Sequence, residues 1–142
     1  MGNRTAEMKG TERTGKRVLV CGGRAFADRH YLFSVLDGIH RAERIKLIIH
    51  GAAPGADSLA EAWAKSREIP YVGVPAQWKR IGRSAGPQRN DYMLAQGSPD
   101  MVIAFPGDKG TADMMRRAAA AGVKIVAAGL DDRERADRSA TG

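Results

Sequence analysis

Five short, mostly apolar runs, each separated from the next by a turn and a stretch of helical spacing, constrain this chain more than any other feature. They are Arg17 to Cys21, Lys46 to His50, Tyr71 to Val74, Met101 to Phe105 and Val123 to Ala127. Runs this short and this poor in charge suit strands buried on both faces, which occur in parallel sheets covered by helices. The intervening segments read as helices. Leu32, Val35, Leu36 and Ile39 recur at helical spacing after Asp28, a good cap, and Leu59, Ala60 and Trp63 follow a Ser58/Glu61 capping-box pattern. Gly86-Pro87 predicts a helix start, with the helix running to about Gln96. Thr111 predicts the N-cap of a last helix that buries Met114, Met115, Ala118 and Ala119 and ends at Gly122. This alternation predicts an α/β fold with a five-stranded parallel sheet and right-handed crossovers.

Five such strands allow the order 3-2-1-4-5, in which the crossover direction reverses between strands one and four. Ligands of open α/β sheets bind at the carboxyl ends of the strands at that reversal. Three glycine-containing loops fall there: Gly22-Gly23-Arg24, the loop from Gly51 through Gly55 to Asp57, and the segment Pro106, Gly107, Gly110 and Thr111. Glycines let backbone approach a phosphate, amides point at it, and a helix N-terminus favours negative charge. The plainer reading is that the glycines serve only turn geometry, and it stays open at this level.

Length and charge narrow the classes. A chain of 142 residues is one domain with enough core to need no disulfide. Residues 1–15 predict a disordered tail, 16–130 the folded domain and 131–142 a charged tail. The net charge is +7, and residues 16–130 hold seventeen basic against ten acidic side chains. A basic folded body implies an anionic partner, either a nucleotide-like ligand or nucleic acid. No apolar run approaches membrane-spanning length and no signal peptide is visible, so a cytoplasmic protein is expected. The single cysteine, Cys21, sits in an apolar strand and reads as buried filler. No grouping of His, Asp and Glu has metal-ligand spacing, and no metal or required cofactor is expected.

Arg24 and Arg89 are the candidate phosphate partners, because arginine can grip phosphate with two hydrogen bonds. Asp57 either caps its helix or faces the cleft to accept from ribose hydroxyls. His50, at the end of a strand, is either a satisfied structural group or an acid–base group.

The chain resembles the SLOG superfamily (Smf/DprA and LOG proteins), specifically its small YspA-like branch. The motifs that carry the resemblance are Val18-Leu-Val-Cys-Gly-Gly-Arg24, His50-Gly-Ala-Ala-Pro-Gly-Ala-Asp57, Gly86-Pro-Gln-Arg-Asn90 with Met93, and Phe105-Pro-Gly-Asp-Lys-Gly-Thr111. The resemblance implies a Rossmann-like, three-layer fold whose glycine loops hold nucleotides or ADP-ribose-type ligands, with Asn90 and Pro106 joining the site. It also implies a homodimer. LOG enzymes cleave the N-glycosidic bond of nucleoside monophosphates with a PGGxGTxxE motif. Here Asp108 replaces the second glycine and Met114 occupies the glutamate position, while Arg89 and Met93 match the Arg-x-x-x-Met portion. Asp113 is adjacent to that position, but one residue turns a helix by about 100°. The leading expectation is therefore ligand binding or sensing. A LOG-like N-glycosidase, with Arg89 as its catalytic candidate, is the alternative, and single-stranded nucleic-acid binding of the DprA kind comes third.

Overall fold

The computed structural model describes residues 14–77, 80 and 82–129. Among them run β1 (Lys16–Cys21), α1 (Arg29–Glu43), β2 (Ile45–His50), α2 (Ala56–Ser66), β3 (Tyr71–Gly73), a 3-10 turn (Gly82–Ser84), α3 (Ala85–Gly97), β4 (Met101–Ala104), α4 (Lys109–Ala120) and β5 (Lys124–Ala127). Residues 1–13 of the expected tail at 1–15 and all of the expected tail at 131–142 lie outside the described residues, as do Trp78, Lys79 and Ile81.

The sheet is parallel throughout, in the order β3-β2-β1-β4-β5. Past an irregularity at Lys16/Arg17, where β1 meets β2, its side chains alternate between the two faces. Val18, Val20, Ile48, Met101 and Ile103 point to one face, under α1 and α2, with Leu32, Leu36 and Trp63. Leu19, Cys21, Leu47, Ile49, Val102 and Ala104 point to the other, under α3 and α4, with Met93, Met114 and Ala118. A fully buried aliphatic side chain contributes roughly 1.5–3 kcal/mol. A one-residue slip would send each of these side chains to the wrong face, so the two cores fix register. Val18 pairs with Met101 and Ile48, and the first two helices pack on one face while the last two pack on the other. The crossover direction reverses between β1 and β4.

Several local readings are corrected. The α2 helix opens at Ala56 with Gly55 at its N-cap, so no Ser58/Glu61 capping box forms, and the Ser58 hydroxyl donates instead to the Ala53 carbonyl at 2.9 Å. Asp108, not Thr111, caps α4, accepting from the Gly110 amide, and Thr111 lies buried inside the first turn. The helix starts three residues earlier than its sequence suggests because a second capping residue stands three positions upstream. Ala119 is exposed, whereas Met114 and Ala118 are fully buried. The α3 helix begins at Ala85, which puts Pro87 third in the helix, inside the first turn where a missing N–H costs little. The cap at Asp28 holds, accepting from the Tyr31 amide at 3.0 Å.

Candidate functional site

The ends of β1, β2 and β4 bring the three loops together. The Gly23 amide donates to the Pro106 carbonyl at 2.7 Å, and the Ala56 amide donates to the Gly23 carbonyl at 3.2 Å. These contacts give the glycines a purpose different from the expected one. Gly55 has φ +82°, and a Cβ there would overlap the Gly23 and Arg24 backbone. A Cβ on Gly23 would sit 2.9 Å from the Pro106 carbonyl, and one on Gly107 would strike the Thr111 hydroxyl. Gly23, Gly55 and Gly107 let the loops nest against each other; together with Pro106 they form the scaffold, and none of the four lines the cleft.

Three amides of the second loop, those of Gly51, Ala52 and Ala53, are likewise engaged. The Asp57 carboxylate accepts from the Gly51 amide at 3.0 Å and from the Ala53 amide at 3.3 Å. The Ala52 amide donates to His50 Nδ1 at 2.9 Å. With Nδ1 an acceptor, the ring proton sits on Nε2 and is donated to Glu61 at 2.8 Å. His50 is thus a satisfied structural group: it is 2% exposed and packs beside Gly73, where a Cβ would come 2.7 Å from its ring. Burial raises Glu61, but its bonds to Lys65 and His50 outweigh that effect and hold it below its ordinary value.

Inside the scaffold a cleft of about 690 Å³ opens, of the size that takes a small ligand. Of the expected residues, Gly22, Arg24, Gly51, Asp57, Arg89, Asn90, Gly110 and Thr111 line it. Five basic side chains (Arg24, Arg83, Arg89, Lys109 and Arg116) face three acidic ones (Asp57, Asp108 and Asp113) around its walls.

Arg89 spans the cleft from α3. Its Nη1 donates to the Gly51 carbonyl at 2.6 Å and its Nε to Asn90 Oδ1 at 3.0 Å. Burial lowers the Arg89 pKa, and the Asp57 charge opposes that shift. Asp57 is 6% exposed, and burial pushes it above the ordinary carboxylate value despite His50 and two backbone hydrogen bonds. The expected helix cap does not form, since Gly55 is the N-cap and no side chain bonds to the helix start; Asp57 instead ties its own loop and lines the cleft. Among the described residues, Asp57 Oδ1 and Arg89 Nη2 have no hydrogen-bond partner. Cys21 lies beside them, and burial pushes its thiol up to about 12, so it stays protonated.

Asp113 was set aside by its direction from the glutamate position, yet it lines the cleft. Its carboxylate accepts from buried Asn90 at 2.9 Å, from Arg116 at 2.9 Å and from Arg117 at 2.7 Å. Burial raises Asp113, but the Arg117 and Asn90 hydrogen bonds outweigh it, and the carboxyl sits below its ordinary range. A chain of polar contacts therefore runs from Asp113 through Asn90 to Arg89 and the Gly51 carbonyl. Lys109, Asp113 and Arg116 recur at helical spacing, a face that periodicity could have disclosed. Met114 is fully buried in the core under α3 and α4, so no carboxylate enters from that position. Among the described residues, no group of three or more His, Cys, Asp or Glu could hold a metal ion.

A family model described as YspA, cpYpsA-related SLOG family matches residues 16–81. The Gene 61 protein of Mycobacterium phage D29 is 35% identical over 119 residues, which covers 78% of this chain and 94% of that protein. The X-ray structure of DNA processing protein A (DprA) from Streptococcus pneumoniae aligns with a TM-score of 0.49 and 19% identity, over 81% of this chain and 59% of that one.

Proposed function

The chain belongs to the YspA, cpYpsA-related SLOG family, and we propose that its cleft binds a nucleotide or nucleotide-derived ligand of the ADP-ribose type. One observation carries this reading. Three loops converge on a single cleft in which Arg89, bonded to the Gly51 carbonyl and to Asn90, stands beside an Asp57 oxygen that has no hydrogen-bond partner among the described residues. Arg89 Nη2, Arg24 and the first turn of α4 hold the phosphate, and Asp57 Oδ1 accepts from a ribose hydroxyl. Charge-assisted hydrogen bonds contribute roughly 1.5–3 kcal/mol each, and a helix N-terminus about 0.3–1 kcal/mol. Two arginines, one helix end and a ribose contact together approach the ~8 kcal/mol of micromolar binding. Most of the anion grip comes from side chains, because the Gly23, Gly51 and Ala53 amides are engaged within the scaffold.

Calorimetry with AMP, ADP-ribose and cyclic nucleotides tests the reading on wild type, Arg24→Ala and Arg89→Ala. Micromolar binding of at least one ligand is expected, weakened tenfold or more by each variant. Absence of binding at submillimolar concentration, or affinity indifferent to both variants, would overturn it. For N-glycosidase chemistry, no carboxylate enters from buried Met114 and His50 is engaged with Glu61, which leaves Asp57 and Asp108 as the cleft carboxylates with an oxygen unpartnered among the described residues. Because neither stands at the glutamate position of the LOG motif, which Met114 occupies, incubation with nucleoside monophosphates should show binding without release of free base.

A further inference from the structure

A second cavity of about 430 Å³ adjoins the cleft, and Arg89 lines both. β3 is a three-residue edge strand, and Val72, Val74 and Pro75 beside it form one wall of the cavity while α3 supplies the other. The two cavities differ in chemistry. The cleft is ringed by charges and has no aromatic side chain among its lining residues. The side cavity is largely apolar, and its α3 wall carries Tyr92, 53% exposed and the large hydrophobic side chain left open to solvent among the described residues. Gln77 and Gln88 add carboxamides at its rim, and Gln88 donates to the Ser84 hydroxyl at 3.2 Å, which leaves its carbonyl oxygen without a partner among the described residues.

We infer that the side cavity is a base site. It takes the purine or pyrimidine of the ligand whose phosphate and sugar lie in the cleft, stacked on Tyr92 and met at its edge by the Gln88 carboxamide. This rests on the nucleotide reading given above and adds to it the part of the ligand that the cleft has no chemistry to recognise. A flat aromatic ring is the occupant that fits a slot with one phenolic face, aliphatic walls and amide groups at the mouth. Arg89 links the two halves: fixed by Gly51 and Asn90, its guanidinium forms the partition past which the sugar must lead.

The experiment compares ribose 5-phosphate with AMP, GMP, CMP and UMP by calorimetry, on wild type, Tyr92→Ala, Tyr92→Phe and Gln88→Ala. Wild type should bind at least one nucleotide five times or more tighter than ribose 5-phosphate. Tyr92→Ala should weaken that nucleotide by about 5- to 150-fold, the range for loss of one base–aromatic stack, with ribose 5-phosphate unchanged within twofold. Tyr92→Phe, which keeps the ring, should retain wild-type affinity, and Gln88→Ala should change the ranking among bases. Equal affinity for sugar phosphate and nucleotides, untouched by Tyr92→Ala, overturns the base site while the cleft reading stands. Equal weakening of both ligands by Tyr92→Ala overturns it as well. Failure of every ligand to bind overturns both readings together.

Discussion

At the scale of single residues, Gly55 separates two uses of glycine. Its φ of +82° is one that L side chains rarely adopt, and a Cβ would also overlap the backbone of the first loop. Gly122 has a similar φ, +77°, but open space around it. Gly55→Ala should therefore cost about 2–5 kcal/mol, left-handed strain plus steric overlap, and Gly122→Ala only about 1–2 kcal/mol. Equal losses in urea denaturation would contradict the nested-loop scaffold. Asp57 yields a pH dependence. Because burial raises its folded-state pKa above the ordinary 3.8, its contribution to stability is fullest below that value and is lost as pH rises through the raised one. Asparagine keeps an oxygen able to accept from the Gly51 and Ala53 amides, so Asp57→Asn should lose less stability than wild type as pH rises above the ordinary carboxylate value. Parallel stability profiles for the two proteins would contradict this.

At the scale of elements, α3 and α4 are clamped by Asp113, which meets Asn90, Arg116 and Arg117, and by the Arg117 bond to Asp91 at 2.9 Å. Asp113→Ala strips buried Asn90 of its carboxylate partner and should cost about 1–3 kcal/mol in urea denaturation. It should also weaken ligand binding, less than Arg89→Ala does, because Arg89 keeps its bond to the Gly51 carbonyl. The strands and their order were legible from sequence because burial on both faces leaves a run without charge, and that signal is local. The convergence of the three loops was legible through topology. What could not be read was how polar groups pair once the loops meet. The sequence leaves Asp57 between a helix cap and a sugar contact, and gives no sign that one of its oxygens takes two amides of its own loop. Thr111 and Asp108 are both competent caps three residues apart, and only the packing of Thr111 against Gly107 shows which one serves. Asp113 was missed because its direction was judged against one glutamate position rather than against α3, whose place beside α4 is a tertiary fact.

At the scale of the whole molecule, the +7 charge invites nucleic acid as well as small anions. Single-strand binders stack successive bases on exposed aromatics, and Tyr92 is the large side chain of that kind exposed among the described residues. Gel shifts with single-stranded DNA should therefore lose all binding as salt rises through about 200 mM, the behaviour of backbone charge alone. A salt-resistant shift would favour a nucleic-acid function. No helix among the described residues is long and apolar enough to cross a membrane. The central claim is that one cleft, at the carboxyl ends of β1, β2 and β4, receives the phosphorylated ligand. Amide chemical-shift mapping by NMR, with AMP or ADP-ribose added to the labelled full chain, tests it most directly. The account predicts shifts clustered at residues 22–24, 51–57, 86–93 and 108–113. Shifts confined to the opposite end of the sheet, around Arg44 and Lys46, or none at millimolar ligand, would contradict it.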